Sequence, residues 1–119
     1  MELFSGVPTR WMANNGTIET FFLQATESKI NLNLLPFTNL KYLQVKVNGN
    51  LISEVNVNGS TELFLNASFR KGINQIVFYS PQGCISPIEV PTMNSKDSRC
   101  LSFAFQNITI EKADVIVFA

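Results

Sequence analysis

Apolar and polar residues alternate with a period of two along most of this chain, and that pattern limits its fold more than any other feature. Ile30, Leu32 and Leu34 alternate with Lys29, Asn31 and Asn33; Leu43, Val45 and Val47 with Tyr42, Gln44 and Lys46; Leu101, Phe103 and Phe105 with Ser102, Ala104 and Gln106. This is the signature of strands buried on one face. No comparably long stretch keeps apolar positions at helical spacing. The pattern predicts strands over 10–14, 17–25, 29–37, 40–47, 51–57, 61–67, 73–80 and 101–111, with 114–118 as a possible further one. About eight such strands hide their apolar sides only by stacking two sheets. The expected fold is therefore an all-β, antiparallel two-sheet sandwich of jelly-roll type, forming one domain over residues 1–119.

Register can be argued at Asn48-Gly49, because a slip of one residue turns every side chain to the other face. A two-residue loop would set Leu43 opposite Glu54. A three-residue loop, Asn48-Gly49-Asn50, faces Val47 with Leu51, Val45 with Ser53 and Leu43 with Val55, so the longer loop is expected. Asn58-Gly59-Ser60 either makes a second hairpin, pairing Val55 with Leu63, or carries the chain to the other sheet.

Histidine is absent. That removes the Ser-His and Cys-His nucleophile pairs, the common zinc sites and any base with an unperturbed pKa near neutrality. The two cysteines cannot form a four-thiolate site and are not spaced Cys-x-x-Cys, so a Cys84–Cys100 disulfide is their better use. It would close a loop of about fifteen residues and stabilise the fold by about 3 kcal/mol in the loop-entropy model, in an oxidising compartment. Sequons at Asn15, Asn58, Asn66 and Asn107 agree with that setting. A net charge of zero offers no field for nucleic acid. The apolar runs are all shorter than the roughly 18 residues of a spanning helix. Met1-Glu2 lacks the start of a signal peptide, so a segment of a longer chain is expected.

Two clusters could carry binding chemistry. In the first, Trp11 follows Arg10 and is followed by Asn14 and Asn15, and an aromatic face beside guanidinium and amide groups suits a pyranose ring. The alternative is that this Trp is core. The second is Lys96-Asp97-Ser98-Arg99 in the cysteine loop, where Asp97 and Arg99 either hold sugar hydroxyls or anchor the loop to itself. Tyr42 and Tyr79 face away from the main apolar face and rank behind both. Glu54, Glu62, Glu89 and Asp97 are scattered, and no spacing brings two together as a glycosidase requires. Asp97 alone is too little for calcium, so no metal and no cofactor are expected.

Four stretches carry a family resemblance: "RWMANNGTIE", "LQVKVNGNLI", "RKGINQIVFYSPQGC" and "DSRCLSFAFQNITI". Together they resemble the jelly-roll, galactose-binding-like domain appended to archaeal polytopic glycosyltransferase-like membrane proteins. The Val-Asn-Gly and Lys-Gly-Ile-Asn parts recur in many such sandwiches and bear on fold only. The resemblance implies a noncatalytic accessory domain at the cell surface, tethered to its own membrane domain, with Cys84 and Cys100 bridged and a glycan or lipid-linked sugar as partner. Trp11, Asn14, Asp97 and Arg99 fall on the family's recurrent positions. The competing expectation is a structural or protein-interaction module, which calls for an exposed apolar patch near Phe21, Phe64 or the tail.

Overall fold

The computed structural model describes residues 2–4, 7–38, 42–113 and 115–118. Its strands are β1 (Glu2–Phe4), β2 (Val7–Trp11), β3 (Asn15–Phe22), β4 (Thr26–Pro36), β5 (Tyr42–Val47), β6 (Asn50–Asn56), β7 (Thr61–Phe69), β8 (Gly72–Tyr79), β9 (Phe103–Ile110) and β10 (Val115–Phe118). They form two five-stranded antiparallel sheets, ordered β1-β2-β9-β4-β7 and β10-β3-β8-β5-β6. The expected two-sheet, jelly-roll-like sandwich is the fold observed. The predicted strand starts at residues 40 and 114 lie outside the described residues.

The core follows from the alternation. Ile30, Leu32, Leu34, Leu63, Leu65, Phe103 and Phe105 point inward from the first sheet. Ile18, Phe22, Leu43, Val45, Ile76 and Phe78 meet them from the second. Across the interface Phe22 stacks on Phe69 at 4.5 Å between ring centroids, and Phe78 packs on Phe105 at 4.7 Å. Aromatic pairs at such separations add to the stabilisation from area burial alone.

The β5–β6 turn corrects part of the expected register. Val45 faces Ser53 and Leu43 faces Val55, as the alternation requires, but Val47 faces Asn50 and not Leu51. The loop is the two-residue Asn48-Gly49 turn, with both residues at positive φ (50° and 85°), the geometry whose twist matches a hairpin. A shift between Val45 and Lys46, opposite the extra residue Ile52, then restores the inward set. A short turn plus a bulge yields the same facing as the longer loop.

The next connection crosses between sheets. Asn58-Gly59-Ser60 leads from β6, at the edge of the second sheet, to β7, at the edge of the first. Leu63 therefore pairs with Leu32.

The two fold-bearing motifs meet in space. Asn74, fully buried on β8, accepts hydrogen bonds at Oδ1 from Asn48 Nδ2 (2.8 Å) and the Arg70 N–H (2.9 Å). Its Nδ2 donates to the Arg70 and Gly72 carbonyls at 2.9 and 3.2 Å. Asn48 completes the link by accepting the Gln75 N–H at 2.9 Å. One amide thus ties the β7–β8 turn to the β5–β6 turn.

Candidate functional site

The segment between β2 and β3 crosses from one sheet to the other, and both ends of the crossing are fastened. The Met12 N–H donates to the Phe103 carbonyl (2.9 Å), and the Ser102 N–H returns a bond to the Met12 carbonyl (3.0 Å). Ser102 Oγ also donates to the Ala13 carbonyl. The Ser80 N–H donates to the Asn14 carbonyl at 2.8 Å, anchoring the far end to the exit of β8.

A pocket of about 170 Å³ opens beside this crossing. Its rim is Arg10, Trp11, Asn15 and Thr17, and its floor is Met12 with the core rings of Phe78 and Phe105. Among the described residues β10 pairs with β3 over Ile18 to Phe21. Gly16 lets the floor close, since a Cβ there would lie 3.1 Å from Met12 Sδ and 3.2 Å from Met12 Cβ. Among the described residues Arg10 is the one charged residue in the lining, which includes no carboxylate.

Trp11 sits outside the intersheet core. It pairs with Ala104, and Ala104 with Leu35, so all three share the outer face of the first sheet. The half-buried indole meets Phe37 edge-on at 5.9 Å between centroids. Arg10, one residue earlier, pairs with inward-facing Phe105 yet is exposed, because β2 lies near the sheet edge. Asn14 is exposed on the crossing and accepts a hydrogen bond of 3.5 Å at Oδ1 from Asn15 Nδ2. Arg10, Trp11 and Asn15 thus border one pocket, Trp11 from the outer face of the first sheet and Asn15 from that of the second, while Asn14 is not in its lining; Thr17, which also borders it, carries no ligand signal in the sequence.

The cysteine loop is bonded to the same end of the molecule. Cys84 and Cys100 are disulfide-linked with their Cα atoms 5.2 Å apart, and Ile85 and Leu101 exchange two backbone hydrogen bonds beside them. Pro87 and Pro91 begin two short 3-10 turns within the loop. Asp97 accepts the Arg99 N–H at 2.9 Å and pairs with its guanidinium through Nε at 3.1 Å and Nη2 at 2.6 Å. The Asp97 carbonyl meanwhile receives the Ile88 N–H at 2.9 Å. These bonds make Asp97 and Arg99 partners of each other and clasp the loop across its width.

The Arg99 hydrogen bonds hold the Asp97 carboxyl below the ordinary aspartate value of 3.8. A depressed native pKa gives stabilisation that is complete above the ordinary value and is lost as pH falls through the native one. The Arg99 amide resonance should therefore titrate with a midpoint below 3.8. A midpoint at or above that value in an NMR pH series would mean the clasp is not formed in solution.

Among the described residues none of the acids Glu54, Glu62, Glu89 and Asp97 lines the pocket. Glu54 pairs with Gln44 on the outer face of the second sheet, and Glu62 pairs with Asn33 on the outer face of the first, so the whole sandwich separates them. Glu89 and Asp97 belong to the cysteine loop. Among the described residues no group of three or more Cys, Asp or Glu is placed to hold a metal ion. All four sequon asparagines, Asn15, Asn58, Asn66 and Asn107, are exposed.

No protein-family model matches the sequence, and no curated protein matches it. Among solved structures the chain is similar to a family 35 carbohydrate binding module from an environmental isolate, with a TM-score of 0.51 and 12% identity over 87% of this chain and 69% of that one. The fold is carbohydrate-binding-module-like. A family 35 module from Clostridium thermocellum gives a TM-score of 0.49 at 12% identity, over 92% of this chain and 94% of that one. An exo-β-1,3-galactanase from Phanerochaete chrysosporium gives 0.46 at 12% identity, over 95% of this chain and 26% of the enzyme. At such identities likeness speaks to fold, and ligand and site must be argued from this chain's own residues. No helix among the described residues is long and apolar enough to cross a membrane.

Proposed function

We propose that this domain binds carbohydrate without transforming it, at the pocket between β2 and β3. The observation that carries the reading is that Trp11, Arg10, Asn15 and Thr17, which bear an indole, a guanidinium, an amide and a hydroxyl, all border one pocket with an apolar floor. A sugar ring needs both kinds of surface, since its C–H face stacks on an aromatic ring while its hydroxyls seek donors and acceptors. Arg10 supplies donors only, Thr17 and Asn15 supply both, and the Met12 and Phe105 floor excludes water beneath the ring. Glycoside hydrolysis needs two acids flanking the bond, and among the described residues the lining holds none.

In the fuller form of this reading the domain is an extracytoplasmic accessory unit of a glycosyltransferase-like membrane protein and presents or orients its glycan. The resemblance in the Trp11 and Cys100 segments supports that placement, as does the disulfide, which requires an oxidising environment. Asp97 and Arg99 then shape the loop beside the pocket and make no direct contact with sugar.

Trp11 is the only tryptophan, so the emission comes from a single residue on the pocket's border. Titration with gluco-, manno- and galacto-oligosaccharides and with lipid-linked oligosaccharide headgroups should shift that emission and the amide resonances of Arg10, Asn15 and Thr17. Trp11→Ala should weaken binding at least tenfold, as loss of a stacking platform does. A flat response to every sugar at millimolar concentration would refute the proposal.

A second reading, a protein-interaction module, draws on the outer face of the second sheet. There Val115 pairs with Phe21 and Phe21 with Ile73, with Val117 beside them, making one apolar patch in which Phe21 is 37% and Ile73 60% exposed. Phe64 lies on the opposite face of the sandwich and does not belong to it.

A further inference from the structure

The outer face of the second sheet changes character along its length. At one end are the apolar residues just described. At the other, antiparallel pairing lines up Asn15 on β3 with Tyr79 on β8, Tyr79 with Gln44 on β5, and Gln44 with Glu54 on β6. Paired residues share a face, so these four side chains form one row across the sheet. Tyr42, two residues before Gln44 on β5, stands on the same face and diagonally from Tyr79. The row starts at Asn15, which is also on the rim of the pocket.

We propose that the ligand is a linear oligosaccharide, with one unit in the pocket and the following units laid across this row over Tyr79 and Tyr42. The inference rests on the carbohydrate-binding reading above and extends it from a single ring to a chain. Three features support it. A pocket of about 170 Å³ has room for one sugar ring but not for a chain, so further units must leave it, and Asn15 on its border pairs directly with Tyr79. Diagonal neighbours in a sheet stand about 7–8 Å apart, a spacing of the order of one sugar unit, so Tyr79 and Tyr42 can face successive rings. Both tyrosines are half-buried, with enough ring exposed to stack.

The second tyrosine is also held in place. Its hydroxyl donates to Glu54 Oε2, its main-chain N–H donates to Gln82 Oε1 at 2.9 Å, and Gln44 Nε2 reaches Glu54 Oε1 at 3.4 Å. A ring fixed before the ligand arrives loses less entropy on binding. Gln44, between the tyrosines, offers an amide to the hydroxyls at the edge of each unit.

The test is calorimetric titration of the intact chain with cello-, manno- and β-1,3-galacto-oligosaccharides of one to five units. Affinity should rise by about tenfold or more from one unit to three, as two added stacking contacts predict. Tyr79→Ala and Tyr42→Ala should each remove a several-fold part of that rise and leave monosaccharide affinity unchanged. Tyr79→Phe keeps the ring and should retain the rise, and Tyr42→Phe, which keeps the ring but loses the Glu54 bond, should retain most of it, which separates stacking from a structural defect. Amide spectra as dispersed as the parent's will show that the alanine variants are folded. Affinity that does not depend on length, or a rise that survives in both alanine variants, overturns the chain path and leaves the pocket reading intact. Absence of binding at every length, with unchanged Trp11 emission, defeats the pocket reading and the chain path with it.

Discussion

Replacing Asn74 with leucine should lower the unfolding free energy by about 3–4 kcal/mol, the range expected when a buried hydrogen-bonding group is removed and its partners stay behind. Asn74 is fully buried, and its amide satisfies two donors and two acceptors in one place. Leucine fills a similar volume but leaves the Arg70 N–H, the Arg70 and Gly72 carbonyls and the Asn48 amide without that partner. The turn lies at the end of the sandwich, so water will reach some of these groups and hold the loss below the sum of four bonds. For a domain of this size the loss corresponds to a drop in Tm of about 10–20 °C. Asn74→Asp keeps the acceptor and loses the donors, and should fall between parent and leucine variant. Denaturant unfolding with fixed m-values is the measurement; a leucine variant within about 0.5 kcal/mol of the parent would falsify the role assigned to Asn74.

Opening the Cys84–Cys100 bridge should cost about 3 kcal/mol, the loop-entropy value for a loop of this length. The sequence separation is 16, and the bridge sits where the Ile85 and Leu101 backbones already pair. Reduction therefore frees the loop in the unfolded chain far more than in the folded one, where Asp97, Arg99 and Ser86 still hold it: Ser86 Oγ donates to the Ser98 carbonyl at 3.0 Å. The paired variant Cys84→Ser with Cys100→Ser should unfold at correspondingly lower denaturant while its native amide spectrum changes chiefly within residues 81–101. Because Ser102 bonds to both Met12 and Ala13, a modest weakening of sugar binding should accompany it. Equal unfolding midpoints for the oxidised and reduced protein would show that the bridge does not constrain the unfolded chain.

Much of the sandwich could be read from local pattern because each strand has one oily face. The inward residues Ile30, Leu32 and Leu34, and Leu43 and Val45, are those the alternation named. The β5–β6 register shows the limit of such a reading. A three-residue loop and a two-residue turn followed by a bulge place Leu43 opposite Val55 alike, so a pattern of faces cannot tell them apart. The β6–β7 connection was similarly ambiguous, because Val55 could have faced Leu63 as plausibly as Leu63 faces Leu32. The strand Glu2–Phe4 was missed, being too short to show a period.

The site was legible only in part. Arg10, Trp11 and the asparagines after them draw notice as an aromatic beside a cation and amides, whereas Thr17 is an ordinary polar residue until the fold sets it on the border of the same pocket. Asn48 and Asn74 look like turn residues in sequence, and the bond between them spans 26 positions.

Local chemistry by itself determined which residues turn inward, that no imidazole is present to act as a base, and that two thiols were available to bridge a polar loop. Folding in three dimensions decided the strand order, and with it which residues border the pocket, which face Trp11 occupies and that Tyr79 and Tyr42 stand diagonally on one face. Side-chain direction is set by each residue and its immediate neighbours in the chain; strand order depends on contacts between residues far apart, which no short window of sequence contains.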